Sequence, residues 1–182
     1  MRAFIGIEVS DDVRVALSRV HDDLTGCGAK VKLVAPANVH LTMKFLGDID
    51  DKMAGNVASA MAEAAGAGQI AFEVAGLGRF PPRGKPRTLW AGVSDGADAV
   101  VALFTKLDAA LGPLGFESER RFVPHVTIGR VKSPKGADAL TPVIEHHAAT
   151  VFGTCRAEEI VLFKSTLTPQ GAIYDVLTRQ TL

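Results

Sequence analysis

The sequence predicts an α+β domain in which strands outnumber helices. Short β-branched or apolar runs recur along the whole chain, apolar stripes at helical spacing stand between some of them, and clusters of Gly, Pro, Asp or Ser separate the two kinds of segment. With 182 residues, the chain can form one well-buried domain, or two small lobes sharing a core, but not several independent domains.

Ala3 to Val9 reads as the first strand and Ser10-Asp11-Asp12 as a helix start, because Ser and Asp side chains accept from the free N–H groups of a first turn. Val13, Ala16, Leu17, Val20 and Leu24 then form one apolar stripe, which Gly26 and Gly28 end. Strands are expected over Val31 to Val34 and Val39 to Leu46. Asp50-Asp51 opens a second helix with the stripe Met53, Val57, Ala60, Met61 and Ala64. Ile70 to Leu77 and Thr88 to Val93 are the next strands. Between them, Gly78 to Arg87 sets Arg79, Arg83, Lys85 and Arg87 among Pro81, Pro82 and Pro86, so it continues neither element. It reads equally as a substrate loop and as a solvated connector. A third helix, striped by Val100, Leu103, Phe104, Leu107 and Leu111, follows Ser94-Asp95-Gly96. His125 to Val131, Glu159 to Leu167 and Ile173 to Thr178 complete the strands. A short helix is expected within Ala137 to Ala148, where adjacent His146 and His147 point about 100° apart and form no joint metal site.

Composition narrows the function. The chain is 47% hydrophobic and 22% charged, the balance of an ordinary globular protein. Its 20 Lys and Arg offset 20 Asp and Glu, so no global positive field holds a long nucleic-acid backbone, and any such contact is local. Cys27 and Cys155 belong to no CxxC pair, which argues for a reducing cytoplasm rather than a disulfide framework or thiolate zinc site. Glu8 cuts the apolar run from Ala3 to Ile7 too early for a signal-peptide core. No run of about 18 apolar residues can cross a bilayer, so neither export nor a membrane span is expected.

One pattern occurs twice: His40-Leu41-Thr42-Met43 and His125-Val126-Thr127-Ile128. Side chains alternate along a strand, so each copy presents imidazole and hydroxyl on one face while Leu41, Met43 and Phe45, or Val126 and Ile128, point to the core. Each strand thus offers an imidazole, a group that can give or take a proton near neutrality, to a cleft. The two threonine hydroxyls can donate hydrogen bonds beside the imidazoles. The chain lacks HExxH and CxxC, so a zinc site is not expected, and it lacks the GxSxG turn of a serine hydrolase.

His40 to Gly47, preceded by Pro36-Ala37-Asn38-Val39, and Phe122-Val123-Pro124-His125 through Arg130 resemble the two signatures of the two-histidine (2H) phosphoesterases. The similarity is greatest to the RNA 2′,3′-cyclic phosphodiesterases, also called 2′-5′ RNA ligases, and extends to Arg2 to Ile7, Phe80 to Trp90 and Ser165 to Tyr174. The resemblance implies a bilobed α+β fold: two mainly antiparallel sheets facing a central cleft, with helices packed outside. Residues 1–182 would form a single domain of two pseudo-symmetric lobes, one motif from each.

The resemblance further implies metal-independent hydrolysis of terminal 2′,3′-cyclic phosphates on RNA 3′ ends or nucleotides to a 2′-phosphomonoester, with no cofactor. His40 would be the proton donor to the leaving 3′ oxygen and His125 the proton acceptor from water, although the chemistry alone allows the swap. Run in reverse with an RNA 5′-hydroxyl, the same pair would form a 2′-5′ bond weakly. No membrane and no obligatory protein partner is expected. The alternatives are a non-catalytic nucleotide- or RNA-binding member of the same fold, or a phosphodiesterase for another cyclic phosphate such as that of ADP-ribose.

Three more residues are candidates for substrate binding. Arg130 can clamp a phosphate with its guanidinium; strict alternation sets it opposite His125, a conflict that a bulge at Gly129 would relieve. Lys44 shares by alternation the face of His40 and Thr42, where it is either bound or solvated. Phe122 either stacks a base or packs in the core.

Overall fold

The computed structural model describes residues 1–66 and 68–182. Helix α1 (Asp11–Gly26) follows strand β1 (Arg2–Glu8), and β2 (Val31–Leu33) and β3 (His40–Asp48) come next. Then follow α2 (Asp51–Ala64), β4 (Ile70–Phe80), β5 (Thr88–Val93), α3 (Ala97–Leu111), β6 (His125–Val131) and α4 (Leu140–His146). The chain ends with β7 (Val151–Ala157), β8 (Glu159–Thr168) and β9 (Gly171–Thr181).

The expected stripes are the buried helix faces: Val13, Leu17, Val20 and Leu24 in α1, Val57, Ala60, Met61 and Ala64 in α2, and all five apolar residues named for α3. Ser10 and Asp50 cap α1 and α2 by accepting from the N–H groups of Val13 and Met53. These faces join Ala3, Ile5, Ile7, Leu41, Met43, Val126 and Ile128 in one core beneath the sheet. Phe4, Val161 and Phe163 form a second, smaller cluster, with Tyr174 packed against it.

The α+β class holds, and the two expected sheets are halves of one antiparallel sheet. Its strands run β7-β4-β5-β6-β3-β1-β8-β9, and β2 also pairs with β6. The halves meet between the two motif strands, β3 and β6, through the rung Leu41↔Val126. Strand β7, an outer strand on β4, is not expected from sequence: Gly153 interrupts its apolar alternation. The basic loop is shorter than expected, because Arg79 and Phe80 still pair with Leu89 and Thr88.

Candidate active site

Each motif histidine immediately precedes the residue through which the two halves pair, Leu41 or Val126. Continuing the antiparallel register of Leu41↔Val126 by one residue sets His40 opposite Thr127 and Thr42 opposite His125. Two imidazoles and two hydroxyls therefore cross at the seam, while the residues between them are fully buried in the core.

The two rings are held the same way. Nδ1 of His40 donates to the Asn38 carbonyl at 2.7 Å, and Nδ1 of His125 to the Val123 carbonyl at 2.8 Å. A carbonyl only accepts, so in the neutral ring the proton sits on Nδ1 and the lone pair on Nε2. In His40 that lone pair accepts from the Thr42 hydroxyl at 3.0 Å. Arg14 fixes the turn before His40 by donating to the Pro36 and Ala37 carbonyls at 3.1 and 2.7 Å, and the Asn38 amide donates to the Ala172 carbonyl at 2.6 Å.

The surroundings of the rings differ. His40 stacks on Phe4 (ring centroids 4.6 Å apart, 26° between planes) and meets Tyr174 edge-on at 5.3 Å. Gly6 leaves room for it: a Cβ there would stand 3.0 Å from the Leu41 carbonyl oxygen and 3.3 Å from Cδ2 of His40. Burial pushes the His40 pKa below the ordinary histidine value; the Asn38 carbonyl opposes this by holding the Nδ1 proton, and the charge of Arg14 adds to it. His125 is half-buried against the edge of Phe80, centroids 5.1 Å apart, with Trp90 at 6.1 Å. Burial likewise pushes the Tyr174 phenol up, against the pull of Arg130 and Arg2.

A cleft of about 910 Å³ is lined by His40, Thr42, Thr127, Arg130, Phe45 and Tyr174 among others. Arg130 reaches it because the β5–β6 register shifts by one residue between Leu89↔Gly129 and Trp90↔Thr127, making Ile128 the extra residue of a bulge. Strand β3 shifts in the same place. Gly6 pairs with Thr42 but Ile5 with Lys44, so Met43 is extra and alternation reverses after it.

That reversal corrects the expectations for Lys44 and Phe45. Lys44 is 4% exposed and turned into the protein, where its Nζ donates to Asp108 Oδ1 at 2.7 Å and the Glu117 carbonyl at 2.6 Å. Phe45, expected in the core, is 49% exposed and lines the cleft beneath the Arg2 guanidinium, 4.8 Å from its ring centre. Of the two readings of Phe122, the structure shows core packing in place of a base-stacking position: it stacks on Phe104 with centroids 4.0 Å apart and packs against the core.

Sequence reading singled out neither Arg2, Lys32, Lys132 nor Tyr174, which also line the cleft. Three of them are isolated cations that only the strand order brings together; Arg2 and Tyr174 lie in segments that carry the family resemblance. Among the described residues, no group of three or more His, Cys, Asp or Glu side chains is placed to hold a metal ion, and no helix is long and apolar enough to cross a membrane.

Residues 11–168 match the family model of the 2′-5′ RNA ligase superfamily. The chain is 35% identical to the RNA 2′,3′-cyclic phosphodiesterase of Methanothermobacter thermautotrophicus, over 96% of this chain and 95% of that protein. It is 36% identical to the enzyme of the same name from Aquifex aeolicus, over 97% and 95%. Its fold superposes on a crystal structure of a Thermus thermophilus protein with a TM-score of 0.83 at 27% identity, covering 100% of this chain and 98% of that one.

Proposed function

Because the chain belongs to the 2′-5′ RNA ligase superfamily, we propose that it is an RNA 2′,3′-cyclic phosphodiesterase, a hydrolase that opens terminal cyclic phosphates on RNA or nucleotides to a 2′-phosphomonoester. The observation that carries the reading is the crossed pair of His and Thr side chains at the β3–β6 seam. Two imidazoles, each with Nδ1 tied to a backbone carbonyl, leave two Nε2 atoms for proton transfer.

In this mechanism His125 Nε2 takes a proton from water as its oxygen attacks phosphorus. The bond from phosphorus to the 3′ oxygen breaks on the opposite side, and His40 gives that oxygen its Nε2 proton. Thr42 and Thr127 donate to the non-bridging oxygens, and Arg130 supplies a charged fork at the same phosphate. Protons balance: water gives one to His125, and the 3′ oxygen receives one from His40. With an RNA 5′-hydroxyl in reverse, the same steps join ends weakly through a 2′-5′ bond. Residues 1–182 act as one domain of two pseudo-symmetric lobes, a reading supported by the runs β7-β4-β5-β6 and β3-β1-β8-β9 that extend to either side of the seam. A reducing cytoplasm suits Cys27 and Cys155, both free thiols.

The test is turnover of a 2′,3′-cyclic mononucleotide in excess EDTA, with the product isomer identified. A 2′-phosphate is expected. His40→Ala and His125→Ala should each lower kcat by about 10²-fold or more, with the melting transition kept. Activity lost to chelator and restored by one divalent ion would replace the reading with a metal-dependent one. Near-normal turnover in either histidine variant would exclude the two-histidine mechanism.

A further inference from the structure

The cleft is charged in a way the sequence balance does not suggest. In a chain with formal net charge +0, the ionised groups lining it are Arg2, Lys32, Arg130 and Lys132, and no Asp or Glu is among them. None of these four has a carboxylate partner within 4 Å among the described residues. Lys32 and Arg130 also face each other directly across the antiparallel pair β2–β6. Like charges at such a position repel and weaken the pair unless an anion lies between them. Both side chains are exposed on the cleft side, while Val31, Leu33 and Val131 on the adjoining rungs pack against the core.

The rung is displaced from the reacting centre. With Ile128 bulged out of register, Arg130 stands two rungs of β5, about 7 Å, beyond Thr127, beside the cyclic phosphate rather than on it. Arg130 can reach back to the seam with its long side chain, and Lys32 stands opposite it on β2. The cationic lining then continues: Lys132 lines both this cleft and a second cavity of about 520 Å³, whose charged lining is Lys85, Arg87 and Lys132.

We infer that Lys32 and Lys132, beside Arg130, form a second phosphate subsite that takes the internal phosphodiester on the 5′ side of the cyclic end. This rests on the phosphodiesterase reading above and names its substrate more closely: the end of an RNA strand in preference to a free nucleotide. The footprint stays small, because one extra phosphate steepens the log–log salt slope by only about 0.7 for a single strand.

The experiment compares kcat/KM for three substrates: a cyclic mononucleotide without a 5′-phosphate, a dinucleotide ending in the cyclic phosphate, and the same dinucleotide with a neutral methylphosphonate linkage. The charged dinucleotide should exceed its methylphosphonate twin by about 10-fold, the scale of one charge-assisted contact. That ratio should fall to within about 3-fold in Lys32→Ala, and fall in Lys132→Ala. A ratio cancels any loss common to both substrates. Lys32→Glu should abolish the preference while raising the melting temperature by about 1–3 °C, since it turns a repulsive rung into an attractive one. If wild-type protein turns over all three substrates with a ratio near one, or if the ratio survives Lys32→Ala, the second subsite is wrong and the phosphodiesterase reading stands. If wild-type protein turns over none of them, that reading itself has failed.

Discussion

Removing the carboxylate of Asp108 should cost more than removing the ammonium it holds. Lys44 is buried on β3, and its Nζ has three oxygen neighbours: Asp108 Oδ1 at 2.7 Å, the Glu117 carbonyl at 2.6 Å and Glu119 Oε1 at 3.6 Å. For Asp108, burial acts to raise the pKa, but the hydrogen bonds from Lys44 and Ser118 and the Lys44 charge outweigh it and hold the carboxyl below its usual range. Breaking a buried pair from one side costs about 3–5 kcal/mol, because the other charge is stranded. In Asp108→Ala the Glu117 carbonyl and half-exposed Glu119 still serve Lys44, which favours the lower end, about 3 kcal/mol. For a chain of this length that is a fall of about 6–12 °C in melting temperature. Lys44→Met leaves Asp108 with Ser118 and a route to water, so about 1–2 kcal/mol is expected. Adding Lys44→Met to Asp108→Ala should recover part of the loss, since no charge is then stranded. The assay is thermal and urea unfolding of the three variants, with kcat/KM measured per folded molecule. Lys44→Met as damaging as Asp108→Ala, or a double variant no better than Asp108→Ala, would refute the stranded-charge argument. A large loss of kcat/KM in Lys44→Met at unchanged stability would return Lys44 to the substrate.

The environment of His40 sets two pH dependences. As proton donor it must be protonated, so activity falls as pH rises through its pKa; burial lowers that pKa in the free protein, and a bound phosphate anion raises it. The alkaline limb should therefore lie at higher pH in kcat than in kcat/KM, and a limb at the same pH in both would count against His40 as the acid. For stability, the unfolded ring protonates near pH 6.5 while the folded ring resists, so stability is complete above about pH 6.5 and declines below it. Urea unfolding from pH 8 to 5 should show a shallower decline in His40→Gln; an equal decline would mean that other groups dominate. Gly78 pairs with Trp90, and a Cβ there would overlap the indole. Gly78→Ala should thus cost about 1–3 kcal/mol and lower kcat through the Trp90 and Phe80 contacts to His125; unchanged melting and kcat would show that the indole is free to move.

Helices were legible because each buries one stripe: a period near 3.6 in apolar residues is written directly in α1, α2 and α3. The motif strands were legible for a different reason, since His and Thr recur two apart with apolar residues between them. Pairing was not. Nothing local to Leu41 or Val126 says that they oppose each other, and that rung alone makes two motifs one site. The same holds for Lys32 and Arg130, which come from distant segments and become neighbours only through β2–β6. Strand β7 was missed because an outer strand with one buried face needs only Phe152, Cys155 and Ala157 inside, and Gly153 breaks even that pattern.

The corrections at Lys44 and Phe45 share one physical cause with the placement of Arg130. In both motif strands the residue after Thr is extra: Met43 in β3 and Ile128 in β6. Each bulge keeps the next two residues on the core side, Met43 with Lys44 and Ile128 with Gly129, and returns the fifth residue after His to the cleft. The two halves fill that core position differently. Gly129 leaves space for Val31 and Leu33, whose side chains a Cβ would meet at 2.9 and 3.2 Å. Lys44 instead needs a buried partner, which α3 supplies in Asp108. The positions returned to the cleft differ too, an aromatic ring in one half and a guanidinium in the other. A bulge at Gly129 invites consideration because glycine tolerates it, whereas Met43-Lys44 carries no such mark. Reading both motifs with the same bulge would have put Phe45 in the cleft and Lys44 in the core, since two strands that deliver His and Thr to one seam face the same requirement to turn away beyond it.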